Sequence, residues 1–126
     1  MTTENLPLDS FELQKALNYE YNDISLLNKA LTHSSYSNEL KLKHKERECN
    51  ERLEFLGDSV LSIIVSEYLF SHYATRPEGE LTRMRAEVVC EKALSKFANK
   101  IGLGNYLFLG HGEEKNNGRK RKSILA

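Results

Sequence analysis

The chain has 126 residues, of which 40% are hydrophobic and 29% are charged, with only 2 prolines and 7 glycines. This composition excludes a disordered chain and a many-turned all-β protein, and the length predicts one domain with a modest core. Because 18 basic residues balance 18 acidic ones, no overall field attracts a polyanion. Any nucleic-acid binding must come from local patches, of which Lys115–Lys122 is the most basic.

Neither a thiol-bound metal nor a membrane location is predicted. Cys49 and Cys90 have no CxxC spacing, which argues against a zinc site and against a disulfide framework. No apolar stretch approaches the roughly 20 residues of a membrane span. The N-terminal MTTENLPLDS also lacks the basic start and apolar run of a leader. We therefore expect a cytoplasmic protein with no membrane partner.

Helices are predicted throughout the first half of the chain. Asp9 or Ser10 can cap a first helix and Asp23 a second, which together make a helical hairpin. The highly charged Ser37–Glu48 has too little apolar spacing to bury a face, so an exposed connection is expected. From Cys49 to Tyr73, apolar residues form two adjacent stripes. This pattern predicts a long, central and largely buried helix.

The second half also favours helix. Leu81–Ile101 has helical spacing and predicts a helix or a helix pair, whereas Leu103–Leu109 (LGNYLFL) fits a strand or a turn of helix equally well. Gly110–Gly118 is expected to be a glycine-rich polar loop. Ser123–Ala126 reads as the start of another helix with its serine at the N-cap. The predicted fold class is all-α, a helical bundle around the long central helix.

Three acids of the central helix are predicted to share one face. Glu51, Glu54 and Asp58 stand at i, i+3 and i+7, so successive members lie about 5–6 Å apart. Like charges repel at that spacing, and a hard divalent cation bound by oxygen ligands would neutralise them. Gly57, which costs roughly 1 kcal/mol relative to alanine, suggests a close approach to the backbone there. The alternative is a solvent-facing helix start, where acids favour the positive end of the dipole.

The segment Asn50–Ser59 reads NERLEFLGDS and resembles the signature of the ribonuclease III family, including the otherwise unexplained glycine. Further blocks resemble the family in family order: ALTHSSY at Ala30–Tyr36, PEGELTRMRAEVV at Pro77–Val89 and RKSILA at Arg121–Ala126. The resemblance implies that residues 1–126 are its endonuclease domain. It also implies Mg²⁺-dependent cleavage of double-stranded RNA in rRNA, mRNA and other precursors, leaving 5′-phosphates and short 3′ overhangs.

Roles for individual residues follow from the same resemblance. It makes Glu54 a direct Mg²⁺ ligand and Asp58 the acid at the catalytic centre and a further ligand, with Mn²⁺ as a substitute metal. Glu51 and Glu78 resemble supporting acids, for which a helix-start acid and a loop acid are the alternatives. Phe55 resembles a contact to the second subunit of a homodimer, and an ordinary core phenylalanine is the alternative.

The chain departs from the family pattern at its end. In the family, SILA is followed at once by an aspartate and three residues later by a glutamate, whereas this sequence ends at Ala126. We therefore expect a catalytic domain incomplete at its C-terminus, with no double-stranded-RNA-binding domain. Weak Mg²⁺ binding and poor cleavage are expected of it.

The sequence leaves further residue roles and functions open. His33 is expected to pack or cap a helix, and Arg83 and Arg85 to contact phosphates or to pair with acids. The main competing function is a non-catalytic module that dimerises and binds RNA. A helical adaptor without any site would show no effect of Mg²⁺. A phosphohydrolase of the histidine–aspartate type is disfavoured, because no histidine is followed by aspartate.

Overall fold

A computed structural model of the chain describes residues 5–126. Residues 1–4, which begin the N-terminal segment without a predicted leader, lie outside the described residues. The described residues form eight α-helices: α1 Ser10–Leu17, α2 Ile24–Ala30, α3 Ser34–Leu42, α4 Glu51–His72, α5 Glu78–Val88, α6 Glu91–Lys100, α7 His111–Lys115 and α8 Lys122–Leu125. Two 3₁₀ helices span Leu103–Tyr106 and Gly118–Lys120. The predicted all-α class is confirmed.

The first two helices begin at the predicted caps. The Asp9 carboxylate accepts a hydrogen bond from the backbone N–H of Phe11, and the Asp23 carboxylate accepts one from that of Ser25. Each cap satisfies a donor that a helix start leaves free. The N–H of Asn18, at φ 51°, returns to carbonyls of the last turn of α1 and ends that helix.

The core is formed by apolar side chains from both ends of the chain. Its buried members are Leu13, Leu27, Leu31, Ala98, Leu107, Leu109 and Leu125. An isolated parallel bridge joins Thr32 to Phe108, with Phe108 N donating to Leu31 O at 2.9 Å and His33 N donating to Phe108 O at 3.0 Å. The segment LGNYLFL therefore contains a 3₁₀ turn followed by one bridged, extended residue, and the end of α2 is fixed to the core.

Arg119 holds the C-terminal loops together. Its guanidinium forms a bidentate pair with the Glu114 carboxylate at 2.6 and 3.0 Å. It also donates to the carbonyl oxygens of Gly104 at 2.9 Å and Leu107 at 2.6 Å. A Cβ at position 104 would collide with the carbonyl oxygen of Arg119, so the close approach of the two segments requires glycine.

The prediction that Ser37–Glu48 is an exposed connection is wrong for its first half, because α3 continues to Leu42. The His33 ring accepts a hydrogen bond from Ser35 N at 3.2 Å, which confirms its predicted capping role. Tyr36 packs against Phe108 with ring centroids 5.4 Å apart. Tyr36 thus anchors α3 ahead of the charged segment, in which Lys41 and Lys43 are exposed and Glu39 is half-buried.

The prediction of a loop over Gly110–Gly118 is also wrong in part, because α7 lies within it. The start of α7 is held by α3: the Glu39 carboxylate accepts from His111 N at 2.6 Å, and the Ser35 hydroxyl accepts from Gly110 N at 2.9 Å. These bonds satisfy free N–H groups at the helix start. A helix of five residues gains its stability from such long-range contacts.

The remaining C-terminal predictions are largely confirmed. Leu81–Ile101 is a helix pair, α5 and α6, which meet at Val89 and Cys90. The predicted helix near the chain end is α8, but its N-cap is Arg121 rather than Ser123. Ser123 lies inside the first turn of α8, so its hydroxyl does not act as the predicted cap.

Helix α4 has nearly the predicted bounds, but the prediction that it is largely buried is wrong. Among its described residues only Leu69 is buried. Large apolar side chains are exposed along it: Phe55, Leu56, Val60, Ile63, Ile64, Tyr68 and Phe70. The helix packs against α5, where the Arg85 guanidinium donates to Ser66 Oγ at 2.9 Å. Periodicity indicated an apolar surface without showing what covers it.

None of the described helices is long and apolar enough to cross a membrane.

Candidate functional site

A cavity of about 750 Å³ opens beside the first half of α4. It is lined by Glu51, Glu54, Phe55, Gly57, Asp58, Ser59 and Leu61 from α4, by Glu91 and Leu94 from α6, and by Ser123 and Ala126 from the end of the chain. Three of the four acids proposed from the sequence therefore face one cavity.

The three acids Glu51, Glu54 and Asp58 lie on a continuous helix, as their spacing predicted. All three are exposed. Water therefore screens their mutual repulsion, and the desolvation cost expected on a buried helix does not arise. What remains is an exposed, negatively charged surface on one side of the cavity.

The donor set fits a hard divalent cation in chemical type. Glu54 and Asp58 offer carboxylate oxygens one helical turn apart, and Mg²⁺ is commonly bound by one or two carboxylates together with waters and phosphates. The number of ligands is small: within residues 5–126, no three His, Cys, Asp or Glu side chains come close enough to hold a metal ion together. Glu54 and Asp58 are thus the two described carboxylates considered as candidate ligands.

The structure separates the fourth predicted acid from the other three. Glu78 begins α5, its carboxylate accepts a hydrogen bond from Thr82 Oγ1 at 2.8 Å, and it is not among the described residues that line the cavity. Glu91, the first residue of α6, does line the cavity, although the sequence did not predict it there. Its position depends on how α6 packs beside α4, which no local spacing reveals.

Phe55 and Gly57 line the open side of the cavity. The Phe55 side chain is 82% exposed, which excludes the alternative of an ordinary core phenylalanine. Apart from its chain neighbours and the backbone of its own helix, no described atom lies within 4 Å of a Cβ built on Gly57. The close approach predicted at this glycine is therefore not made by any described part of the chain.

The segment before α4 contains an acid with an altered pKa. A hydrogen bond and the charge of the Lys29 ammonium, whose nitrogen lies 2.5 Å from Glu48 Oε2, hold the pKa of Glu48 below its usual value. This pair links the segment preceding α4 to α2. It lies at the surface, where water weakens the attraction.

Comparison with known sequences finds close similarity to one protein family. The ribonuclease-III-like family model matches residues 23–126. Ribonuclease 3 of Syntrophomonas wolfei is 52% identical over 126 residues, covering 100% of this chain and 52% of that protein. Ribonuclease 3 of Caldanaerobacter subterraneus is 53% identical over 114 residues, covering 90% of this chain and 49% of that protein. The chain thus spans about half the length of these curated relatives.

Two solved structures share the fold, and both are of the nuclease domain of ribonuclease III from Campylobacter jejuni. One has a TM-score of 0.83 at 43% identity, covering 93% of this chain and 76% of that chain. The other has a TM-score of 0.80 at 41% identity, covering 99% of this chain and 76% of that chain. For the first, structural flexibility is described in a region involved in dimer formation.

Proposed function

The chain belongs to the ribonuclease-III-like family, and from that premise we propose that residues 1–126 act in the catalytic domain of an endoribonuclease that cleaves double-stranded RNA. One observation carries the proposal. Glu54 and Asp58 lie one turn apart on the exposed face of α4 and line the same cavity. The proposed substrates are rRNA, mRNA and other RNA precursors.

We propose that Glu54 and Asp58 hold Mg²⁺, or Mn²⁺ in its place. When bound, such a cation supplies Lewis-acid polarisation of a phosphate and stabilises charge on the departing 3′ oxygen. The two carboxylates orient the site from a rigid helix and contribute the negative charge that retains the cation. Glu51, which lines the same cavity, is the proposed supporting acid that hydrogen-bonds water around the site. The proposed role of Glu78 rests on the resemblance alone.

We further propose a homodimer in which Phe55 contacts the second subunit. Support comes from the exposure of its ring and from the other exposed apolar side chains of α4. The related nuclease domain from Campylobacter jejuni has a region involved in dimer formation. A two-fold symmetric dimer would present two equal sites to a duplex, one for each strand. Cleavage at staggered positions would then leave 5′-phosphates and short 3′ overhangs.

The competing function is a non-catalytic module that dimerises and binds RNA. Glu54 and Asp58 count against it, because two like charges one turn apart are mildly destabilising and serve no purpose in binding a polyanion. The two functions differ in one measurement. A non-catalytic module binds duplex RNA without cutting it at any concentration of Mg²⁺ or Mn²⁺.

The test is cleavage of an end-labelled RNA duplex by full-length protein carrying Glu54→Gln or Asp58→Asn. Each change removes a charge at nearly constant volume, so we expect the rate to fall by about 100-fold or more. Glu67→Gln, on the same helix but outside the cavity, is the matched control and should cleave at the original rate. Undiminished cleavage by Asp58→Asn would contradict the proposed site.

A further inference from the structure

The segment that precedes α4 is attached to the end of α2. The backbone N–H of Asn50 donates to Thr32 O at 2.9 Å, and its side-chain Nδ2 donates to Ala30 O at 3.0 Å. Carbonyls at the end of a helix lack partners within that helix. Asn50 therefore caps α2 from 20 residues further along the chain.

The side chain of Asn50 is used for this attachment rather than for its own helix. An asparagine at the N-cap usually accepts a hydrogen bond from an N–H of the first turn. At the described start of α4 this bond is absent, and the Asn50 side chain donates to Ala30 O. The helix nevertheless begins here, since Asn50 O accepts from Glu54 N at 2.8 Å.

Arg47 makes a second attachment to the same point. Its Nε donates to Thr32 Oγ1 at 3.2 Å, and Thr32 is fully buried, with 0% of its surface exposed. The guanidinium carbon lies 4.1 Å from the centre of the Phe108 ring and 5.2 Å from that of Tyr36. Such cation–π contacts are favourable and depend on a planar, well-oriented cation. Side chain and backbone contacts thus converge on Thr32.

This attachment determines where the acidic half of α4 lies. Thr32 is fixed to the core through Leu31 and through its bridge to Phe108. In contrast, residues 51–58 of α4 are exposed or half-buried and gain little from packing. Besides the surface pair of Glu48 with Lys29, the contacts of Arg47 and Asn50 join the start of α4 to the core.

We propose that Arg47 and Asn50 are positioning residues that fix the start of α4, so that Glu54 and Asp58 hold a divalent cation in one geometry. The proposal rests on the proposed function and adds to it the residues that orient its carboxylates. Loss of either attachment lets the first turns of α4 fray or rotate relative to the core. The carboxylates remain, but binding of the cation then costs more conformational entropy, because it must order the mobile start of α4.

The test measures Mn²⁺ binding by electron paramagnetic resonance in the full chain, separately from activity. We expect Asn50→Ala and Arg47→Met each to raise the Kd for Mn²⁺ by about tenfold, as loss of outer-sphere partners does at other metal sites. In cleavage assays, the Mn²⁺ concentration for half-maximal rate should rise equally, while the rate at saturating Mn²⁺ recovers. Asn50→Ala keeps the backbone bond to Thr32, so it should fold.

Two control variants separate positioning from stability. Leu13→Val weakens the core without touching either attachment, and it should lower the melting temperature while leaving the Kd for Mn²⁺ unchanged. Lys43→Met removes an exposed positive charge from the same connection and should also leave the Kd unchanged. If Asn50→Ala and Arg47→Met melt earlier but bind Mn²⁺ like the unmodified chain, positioning is refuted and the proposed function survives. If Glu54→Gln and Asp58→Asn do not weaken Mn²⁺ binding, the proposed function fails as well.

Discussion

Individual carboxylates of this chain have different surroundings, although nearly all lie at the surface. Glu54 and Asp58 face an open cavity. Glu48 instead forms an ion pair with the Lys29 ammonium, and Asp23 accepts hydrogen bonds from the hydroxyl and the backbone N–H of Ser25. The pKa values of Glu48 and Asp23 are lowered by these contacts. The acids of the candidate site are thus available to a ligand, whereas Glu48 and Asp23 already have partners.

The Glu48–Lys29 pair makes stability depend on pH. Because Lys29 lowers the pKa of Glu48 in the folded state, the contribution is complete above the unfolded pKa and disappears as the pH falls through the lower, folded pKa. We expect Glu48→Gln to reduce the free energy of unfolding at pH 7 but not at pH 2, as measured by urea denaturation at low salt. In a Lys29→Met background, where only the charge of Arg52 still favours the carboxylate, Glu48→Gln should have a much smaller effect. An equal decrease in the free energy of unfolding at both pH values would contradict this role of the Glu48–Lys29 pair.

Among the helices, those with local signals could be predicted and those fixed by distant contacts could not. Asp9 and Asp23 mark the starts of α1 and α2 within two residues of the N–H groups they cap. Helix α7 depends on Glu39, which is 72 residues away from His111. The same distinction holds at the candidate site. Helical spacing placed Glu54 and Asp58 on one face, but only tertiary packing brings Glu91 to it.

Helix α4 presents the exposed apolar face on which the proposed dimer depends. We expect the unmodified chain to sediment as a dimer and Phe55→Asp to weaken dimerisation by about 30-fold or more, because an aromatic hot spot at an interface contributes about 2 kcal/mol or more. Analytical ultracentrifugation over a range of concentrations measures this directly. Phe11→Asp, an exposed phenylalanine on α1, is the matched control. A monomer at all concentrations, or a dimer unaffected by Phe55→Asp, would contradict the proposed contact.

At the scale of the whole molecule, charge balance leaves RNA binding to local effects. The formal net charge is +0, so no long-range attraction compensates the repulsion between the acids of α4 and a phosphate backbone. One bound divalent cation would cancel the charge of two of these acids and so weaken the repulsion. Affinity for duplex RNA should therefore depend on metal as well as on salt.

Neutralising Glu54 and Asp58 together should make the affinity for RNA independent of a divalent metal. We expect Ca²⁺, used to avoid cleavage, to raise the affinity of the unmodified chain for duplex RNA by about tenfold in a filter-binding assay. The double variant Glu54→Gln, Asp58→Asn should bind RNA more tightly than the unmodified chain without metal and show no response to Ca²⁺. Glu67→Gln should respond as the unmodified chain does. Metal-independent binding by the unmodified chain would instead favour a helical adaptor.

The bonds of Arg119 bear on how the basic run Lys115–Lys122 can be probed. Arg119 is held by Glu114 and by two backbone carbonyls, and Arg121 pairs with Glu113 at 3.3 Å. An alanine scan of this run would therefore mislead at Arg119, because loss of its bonds would loosen the C-terminal loops and reduce RNA binding indirectly. The lysines at 115, 120 and 122 are exposed, and their charge can be reversed without disturbing those bonds. They are the positions at which lost binding would report on RNA contact.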